Sequence, residues 1–332
     1  MQPDETAWPP VTVLVTGAGG PAAVSVIKSL RHDPTVTLIA ADMDAWAAGL
    51  YLLPPDARTL IPAGKDPAFG PAVLARCVAL GVDVLIPTVD AEMRPLASAR
   101  SEFATAGIDL MLAPARALDL TLDKLALACC CGGHVLVPRT ELFDASLDPG
   151  SWDYPVVVKP RTGSGSRDIS VVASARELDG LARSVDFIVQ EYLPGEEYSI
   201  DVLADAGGHV MASVPRLRAR VDSGVSVAGR TIHDPALEHF GAVVAAATGL
   251  TYIANVQARR DAAGRPALLE VNPRAPGALP LTMASGVDMP RLALDSLRGR
   301  PVPEHVDFHE MAMVRFLDER FMDLGEVQKL AA

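Results

Sequence analysis

Residues Tyr252 to Arg274, YIANVQARRDAAGRPALLEVNPR, constrain the fold more than any other stretch of the chain. Asp261, Gly264 and Pro266 interrupt two apolar-rich runs with turn chemistry, so the segment reads as a β-hairpin. Alternate residues of an extended strand share a face. Asn255, Gln257 and Arg259 therefore share one side of the first strand, and Glu270, Asn272 and Arg274 one side of the second. A hairpin symmetric about Ala263-Gly264 sets Gln257 opposite Glu270 and Asn255 opposite Asn272. One carboxylate, several amide oxygens and a guanidinium then crowd a single face. Such a set suits Mg²⁺, which takes oxygen ligands and shares its shell with substrate phosphates. A solvated polar strand face would show the same alternation, and the rest of the chain bears on the choice.

With 332 residues the chain is long enough for two or three lobes. Its hydrophobic fraction of 49% and charged fraction of 21% are those of an ordinary globular protein. A formal net charge of -12, with no long basic run, argues against nucleic acid or an anionic membrane as partner. No apolar run reaches transmembrane length, and the opening MQPDETAWPP has neither a basic nor an apolar leader region, so the expected location is cytoplasmic. Cys129, Cys130 and Cys131 are adjacent, a spacing that matches no common zinc or redox site, and are read as small packing residues.

In chain order, VTVLV (11–15) is a continuous apolar, β-branched run, the mark of a buried parallel strand. TGAGGPAAVSVIKSL follows as a glycine turn opening a helix, a loose variant of the dinucleotide fingerprint at Gly17, Gly19 and Gly20. A second strand, 36–44, ends in Asp42 and Asp44, about where a ribose-binding acid would stand. Further strands at 57–62, 82–90 and 108–113, with helices over about 70–80 and 91–105, complete an open, mostly parallel sheet. Its strand ends would bring Gly17 to Pro21, Asp42, and Thr88 to Glu92 to one rim.

A helical stretch (114–128) containing Asp123-Lys124 comes next, then VLVPRT, then YPVVVKP ending at Lys159. The loop RTGSGSRD places Gly163 and Gly165 among Thr162, Ser164 and Ser166, small residues whose N–H groups close over phosphates in other proteins, with Arg161 and Arg167 nearby. A plain flexible hairpin loop is the alternative. No G-K-[ST] follows and no helix starts there, so it is not a P-loop. A helix over about 174–184, strands within 187–205, PRLRAR (215–220) with Arg216, Arg218 and Arg220 on one face if extended, a helix over 235–248, the hairpin, a broken loop and helix (275–299), and a strand at 310–318 complete the expectation.

These parts, in this order, resemble the ATP-grasp enzymes, especially their carbamoyl-phosphate-synthase-like branch: D-K, V-V-V-K-P, a small-residue loop, Q-E-Y-L-P-G-E-E-Y-S-I-D, N-V-Q and L-E-V-N-P-R, over roughly residues 11–300. The resemblance implies an α/β chain with an N-terminal open parallel domain (1–113), a two-lobed α+β ATP-grasp fold (114–305; lid about 134–191, C-terminal lobe about 192–305), and a C-terminal strand and tail (306–332). It matches Lys124 and Lys159 to phosphate-binding lysines, Gly163, Ser164, Gly165 and Ser166 to the lid loop, and Glu191, Tyr192 and Leu193 to the adenine hinge. Glu197 matches the ribose-binding acid, and Gln257, Glu270 and Asn272 the metal ligands. Arg274, with Arg218 or Arg220, matches basic residues near the transferred phosphate. Ala275-Pro276-Gly277 stands where relatives often carry paired glycines, which leaves the acceptor pocket undefined. The implied cofactors are ATP and one or two Mg²⁺, with Mn²⁺ as a substitute. The implied partners are a small-molecule carboxylate and an amine, and by analogy a second copy in a homodimer. The expected reaction is carboxylate–amine ligation through an acyl phosphate. The alternatives are release of a carbamoyl or acyl phosphate, a non-catalytic nucleotide binder of the same fold, and an oxidoreductase using the glycine turn.

Overall fold

The computed structural model describes residues 8–163, 168–222 and 224–331. Two compact units divide the chain: 1–112 together with 317–332, and 113–316.

In the first unit, β1 (Val11–Val15), β2 (Val36–Asp42), β3 (Arg58–Leu60), β4 (Val84–Ile86) and β5 (Asp109–Leu110) form one parallel sheet in the order β3-β2-β1-β4-β5. Helices α1 (Pro21–Leu30), α2 (Phe69–Ala79), α3 (Asp90–Ser98) and α4 (Arg100–Thr105) connect the strands. The continuous apolar run of β1 is buried because it lies mid-sheet between β2 and β4. Two helices, rather than one over 91–105, follow β4, parted at Ala99. At the rim, Gly17 adopts φ +66°, and a Cβ there would lie 2.5 Å from a Val89 methyl, so only glycine fits the turn. Asp42 accepts the Gly19 N–H at 2.7 Å and the Asp44 N–H at 3.0 Å. The acid that a dinucleotide ribose would need is thus engaged in closing the glycine turn.

Glu92 is buried and accepts the Thr16 hydroxyl. Burial is the main cause that pushes its carboxyl up to about 7, and the nearby Asp42 adds to it. The folded state therefore holds this proton more tightly than the unfolded chain does. The resulting stability is complete below pH 4.5 and lost as pH rises to about 7, a total of about 3 kcal/mol. Denaturation of wild type and Glu92→Gln at a series of pH values should show that difference, and parallel curves would refute it.

The segment expected as a C-terminal strand and tail contains a strand, Ala312–Val314, and ends in a helix. Residues 317–332 belong with the N-terminal unit, where a C-terminal helix (Leu324–Ala331) packs by β3 and Glu326 meets Arg58 at 2.7 Å.

The second unit opens with two helices in place of the single stretch expected over 114–128: α5 (Ala115–Thr121) and α6 (Lys124–Cys131). The break has a local cause. Asp123 caps α6, accepting the Leu125 and Ala126 N–H groups, which competes with continuing α5. Then come β6 (Thr140–Leu142), β7 (Val156–Pro160), β8 (Ser170–Val172), the short α7 (Ala175–Asp179) and β9 (Phe187–Glu191). The helix expected to reach residue 184 ends after five residues, where the N–H of Gly180 turns back to close it. The four strands form an antiparallel sheet, β6-β9-β7-β8, over a core that includes Phe143, Leu147, Trp152, Val158 and Leu178.

A second antiparallel sheet has the order β14-β13-β10-β11-β12-β15, built from β10 (Glu197–Ala204), β11 (Val210–Asp222), β12 (Val225–Thr231), β13 (Tyr252–Arg260), β14 (Pro266–Asn272) and β15 (Ala312–Val314). Helices α8 (Pro235–Thr248), α9 (Leu279–Ala284) and α10 (Met289–Leu297) accompany it. Gly241 lets α8 sit hard against β10 and β11: a Cβ there would come within 2.5 Å of an Ile200 methyl and 2.6 Å of the Ser213 hydroxyl. Among the described residues no helix is long and apolar enough to cross a membrane.

Candidate active site

The hairpin register is the one the alternation predicts: Asn255 faces Asn272 and Gln257 faces Glu270. Its turn centre is shifted, since Arg259 pairs Ala267 and Arg260 pairs Pro266. A one-residue bulge at Leu269 absorbs the shift before the pattern reaches Glu270. The bulge leaves the Leu269 carbonyl 3.4 Å from the Nζ of Lys159.

Pairing across the sheet lengthens this row. Gln257 lies opposite Ser199, Ser199 opposite Arg216, and Arg216 opposite Thr231. One row along, Asn255 lies opposite Asp201, and Asp201 opposite Val214. Directly paired residues share a face, so Glu270, Asn272, Gln257, Asn255, Asp201, Arg216 and Arg218 all stand on one side of this sheet.

Two lysines join them. Lys124 begins α6, whose start is tied to the end of β7 by its own N–H to the Arg161 carbonyl (3.0 Å) and by Arg161 Nη2 on Asp123 (2.6 Å). Its Nζ donates to the Gly163 carbonyl at 2.8 Å and stands 3.5 Å from Glu270 Oε2. Lys159 is the penultimate residue of β7 and is buried; desolvation, opposed by Glu270 and Glu197 and aided by Lys124, lowers its ammonium to about 8. Ser164, Gly165 and Ser166 of the expected phosphate loop lie outside the described residues, as does Arg167.

The oxygens expected to hold a metal each face a positive group. Glu270 meets Lys124, Gln257 Oε1 accepts from Arg218 at 3.2 Å, and Asn272 Oδ1 accepts from Arg274 at 3.3 Å. Among the described residues no cluster of three His, Cys, Asp or Glu is placed to hold a metal. One carboxylate and two amides fit Mg²⁺ only in part, since a full shell would need further oxygens.

Arg218 also reaches Glu197 and the Gly224 carbonyl (2.8 Å), and its buried Nε has no partner. Arg220 is a correction to the sequence reading. A register break between Arg218 and Arg220 takes it off the face, and it is exposed. Arg274 donates to the Ala275 carbonyl (3.2 Å) as well as to Asn272. Along the expected hinge, the Glu191 N–H donates to Arg139 O at 2.9 Å, Leu193 is buried, and the Tyr192 ring lies 6.0 Å from the Arg259 guanidinium.

Asp201 is the residue that sequence reasoning missed. Fully buried, it pairs bidentately with Arg216 (2.6 and 2.8 Å) and accepts from Asn255 (2.7 Å) and Thr282 (2.6 Å), so both oxygens are doubly satisfied. It fixes the amide of Asn255, whose Oδ1 lies 3.5 Å from Gln257 Nε2. A signal was present: Asp201 lies four residues after Glu197 in a strand, hence on the same face.

Comparison with known proteins agrees with this architecture. Residues 183–319 match the family model described as "ATP-grasp in the biosynthetic pathway with Ter operon", and residues 13–111 match "PylC-like, N-terminal domain". An ATP-grasp family model thus matches the C-terminal part of the second unit, and the solved structures below share the fold. Its similarity to D-alanine--D-alanine ligase of Corynebacterium glutamicum (strain R) is 31% identity over 155 residues, 43% of this chain and 42% of that ligase. The match thus spans about two fifths of the curated relative's length. The fold is similar to biotin carboxylase from Campylobacter jejuni, solved as a β-gamma-ATP complex (TM-score 0.75, 17% identity, 90% of this chain and 73% of that one). It is similar also to L-amino acid ligase from Bacillus licheniformis (TM-score 0.67, 17% identity, 88% and 75%).

Proposed function

We propose that the protein is an ATP- and Mg²⁺-dependent carboxylate–amine ligase that works through an acyl phosphate. The observation that carries the reading is the meeting of two lysines from outside the hairpin, Lys124 and Lys159, with the Glu270 side of that hairpin. A cluster of cations interleaved with oxygen ligands is what a metal-bound triphosphate requires. Similarity to a D-alanine--D-alanine ligase and to the fold of an L-amino acid ligase supports the reaction class.

The chemistry brings two anions together in line, so positioning and charge neutralisation are the main needs. A substrate carboxylate oxygen attacks the γ-phosphorus, the bond to the β-phosphate oxygen breaks, and ADP leaves. An amine then attacks the acyl carbon, phosphate departs, and the amine proton passes to solvent. Lys124 and Lys159 would neutralise phosphate oxygens, displaced from Glu270 and Leu269 by a better partner. Glu197 would accept from the ribose hydroxyls, in exchange for its pairing with Arg218. Glu270, Asn272 and Gln257 would hold Mg²⁺, which when bound supplies countercharge to the β- and γ-phosphate oxygens. No protein nucleophile takes part.

A screen for ADP release over amino acids and small carboxylic acids, each with and without amines, tests the reading. Release that needs both an acid and an amine is the expected result. Release with the acid alone would favour an acyl phosphate set free, and nicotinamide-dependent absorbance changes in its place would overturn the ligase.

A further inference from the structure

The β-sheet that carries the hairpin ends at β15, and the residue after it has no role in the site so far described. The Arg315 N–H bonds the Val227 carbonyl at 2.9 Å, extending the ladder in which Met313 pairs Gly229 and Gly229 pairs Arg218. Residue 315 therefore returns to the face occupied by Arg218 and Arg216. Its guanidinium donates to the Gly277 carbonyl and stands beside Arg216. Desolvation, with the neighbouring Arg216, holds its pKa below the usual guanidinium value.

The surrounding charges are matched in pairs: Arg216 with Asp201, Arg218 with Glu197, Lys124 with Glu270. Among the described residues no carboxylate lies within ion-pair distance of Arg315. Among the described residues the Gly277 carbonyl is the one acceptor for this half-buried guanidinium, which carries five N–H donors and so has donors left to offer an anionic ligand. The location identifies the ligand. Gly277 belongs to the Ala275-Pro276-Gly277 loop, and that loop's other end receives Arg274, the neighbour of Asn272. Two guanidiniums thus hold one loop next to the proposed metal ligands.

We propose that Arg315 is the anchor for the carboxylate of the acid substrate, pairing with it through the planar fork of its guanidinium. The inference rests on the ligase reading and adds a residue that sets the acid's position. The planar fork matches a carboxylate in two hydrogen bonds, which an ammonium does not reproduce.

The test uses the full chain and separates the two claims. Binding of Mg²⁺ with a non-hydrolysable ATP analogue is first measured by calorimetry for wild type, Arg315→Gln and Arg315→Lys. It should agree among the three within about twofold, since Arg315 is assigned to the acid and not the nucleotide. No nucleotide binding to wild type would sink the ligase reading itself. With the analogue saturating, acetate, D-alanine, L-alanine and L-glutamate are then titrated, beside acetamide and D-alaninamide. At least one acid should bind wild type and its amide should not, and Arg315→Gln should weaken that acid about tenfold or more, with partial recovery in Arg315→Lys. Equal acid affinity in wild type and Arg315→Gln would overturn the assignment. So would equal binding of acid and amide to wild type, or a nucleotide-binding wild type that takes none of the acids. Should Arg315→Gln fail the nucleotide control, the acid–amide comparison in wild type and the Arg315→Lys affinity decide the matter.

Discussion

Replacing Glu270 with alanine is expected to lower the rate of ADP release by about a thousandfold, the scale set by removing one group that stabilises developing charge. Glu270 is the only carboxylate among the three proposed metal ligands, so its loss leaves two neutral amides to hold a divalent ion. Raising Mg²⁺ should restore little of the rate in Glu270→Ala and more in Glu270→Asp. The fold should tolerate the change. The Glu270 side chain is partly exposed (24%), and its only ion pair among the described residues is the 3.5 Å contact with Lys124, a geometry that contributes less than about 1 kcal/mol to stability. Activity and a denaturation curve measured on the same preparation check both halves. Turnover within a few-fold of wild type would remove Glu270 from the metal site.

Asp201→Ala should act in the opposite way, through stability. Arg216 is 2% exposed and Asp201 wholly buried, so deleting the acid leaves a buried guanidinium uncompensated, with Arg315 beside it. Breaking one side of such a pair costs about 3–5 kcal/mol. Asn255 and Thr282 lose an acceptor in the same step. The denaturant midpoint of Asp201→Ala reads the effect directly. The double variant Asp201→Leu with Arg216→Met should recover most of the stability, because both buried charges are then gone. A single variant within about 1 kcal/mol of wild type would show that Arg216 finds another partner on this face.

Much of the hairpin was legible without coordinates because its information is local. A period of two, a turn marked by Asp261 and Gly264, and polar residues at alternate positions are enough to pair Gln257 with Glu270. The bulge at Leu269 was not legible. A half-residue shift of the turn and one extra residue cancel, and neither leaves a mark in the alternation. The same limit explains Arg220. PRLRAR reads as a regular strand, yet the register breaks against β12 after Arg218, and a break in pairing belongs to two strands at once. It explains α5 and α6 as well, where Asp123 caps one helix while also holding Arg161, the residue after β7.

Local chemistry in the amino-acid order determined the parallel sheet of the first unit, the two faces of the hairpin and which oxygens and cations the chain has to offer. Those properties follow from side-chain period and turn residues, which need no distant partner. Only the tertiary structure decided that Asp201 neutralises Arg216, that Lys124 and Lys159 meet Glu270 and Leu269, and that Arg315 comes to stand near Arg216 with no acid of its own among the described residues. Charges so far apart in the chain interact only when backbone pairing brings them within a few ångströms and burial strips away the water that would screen them.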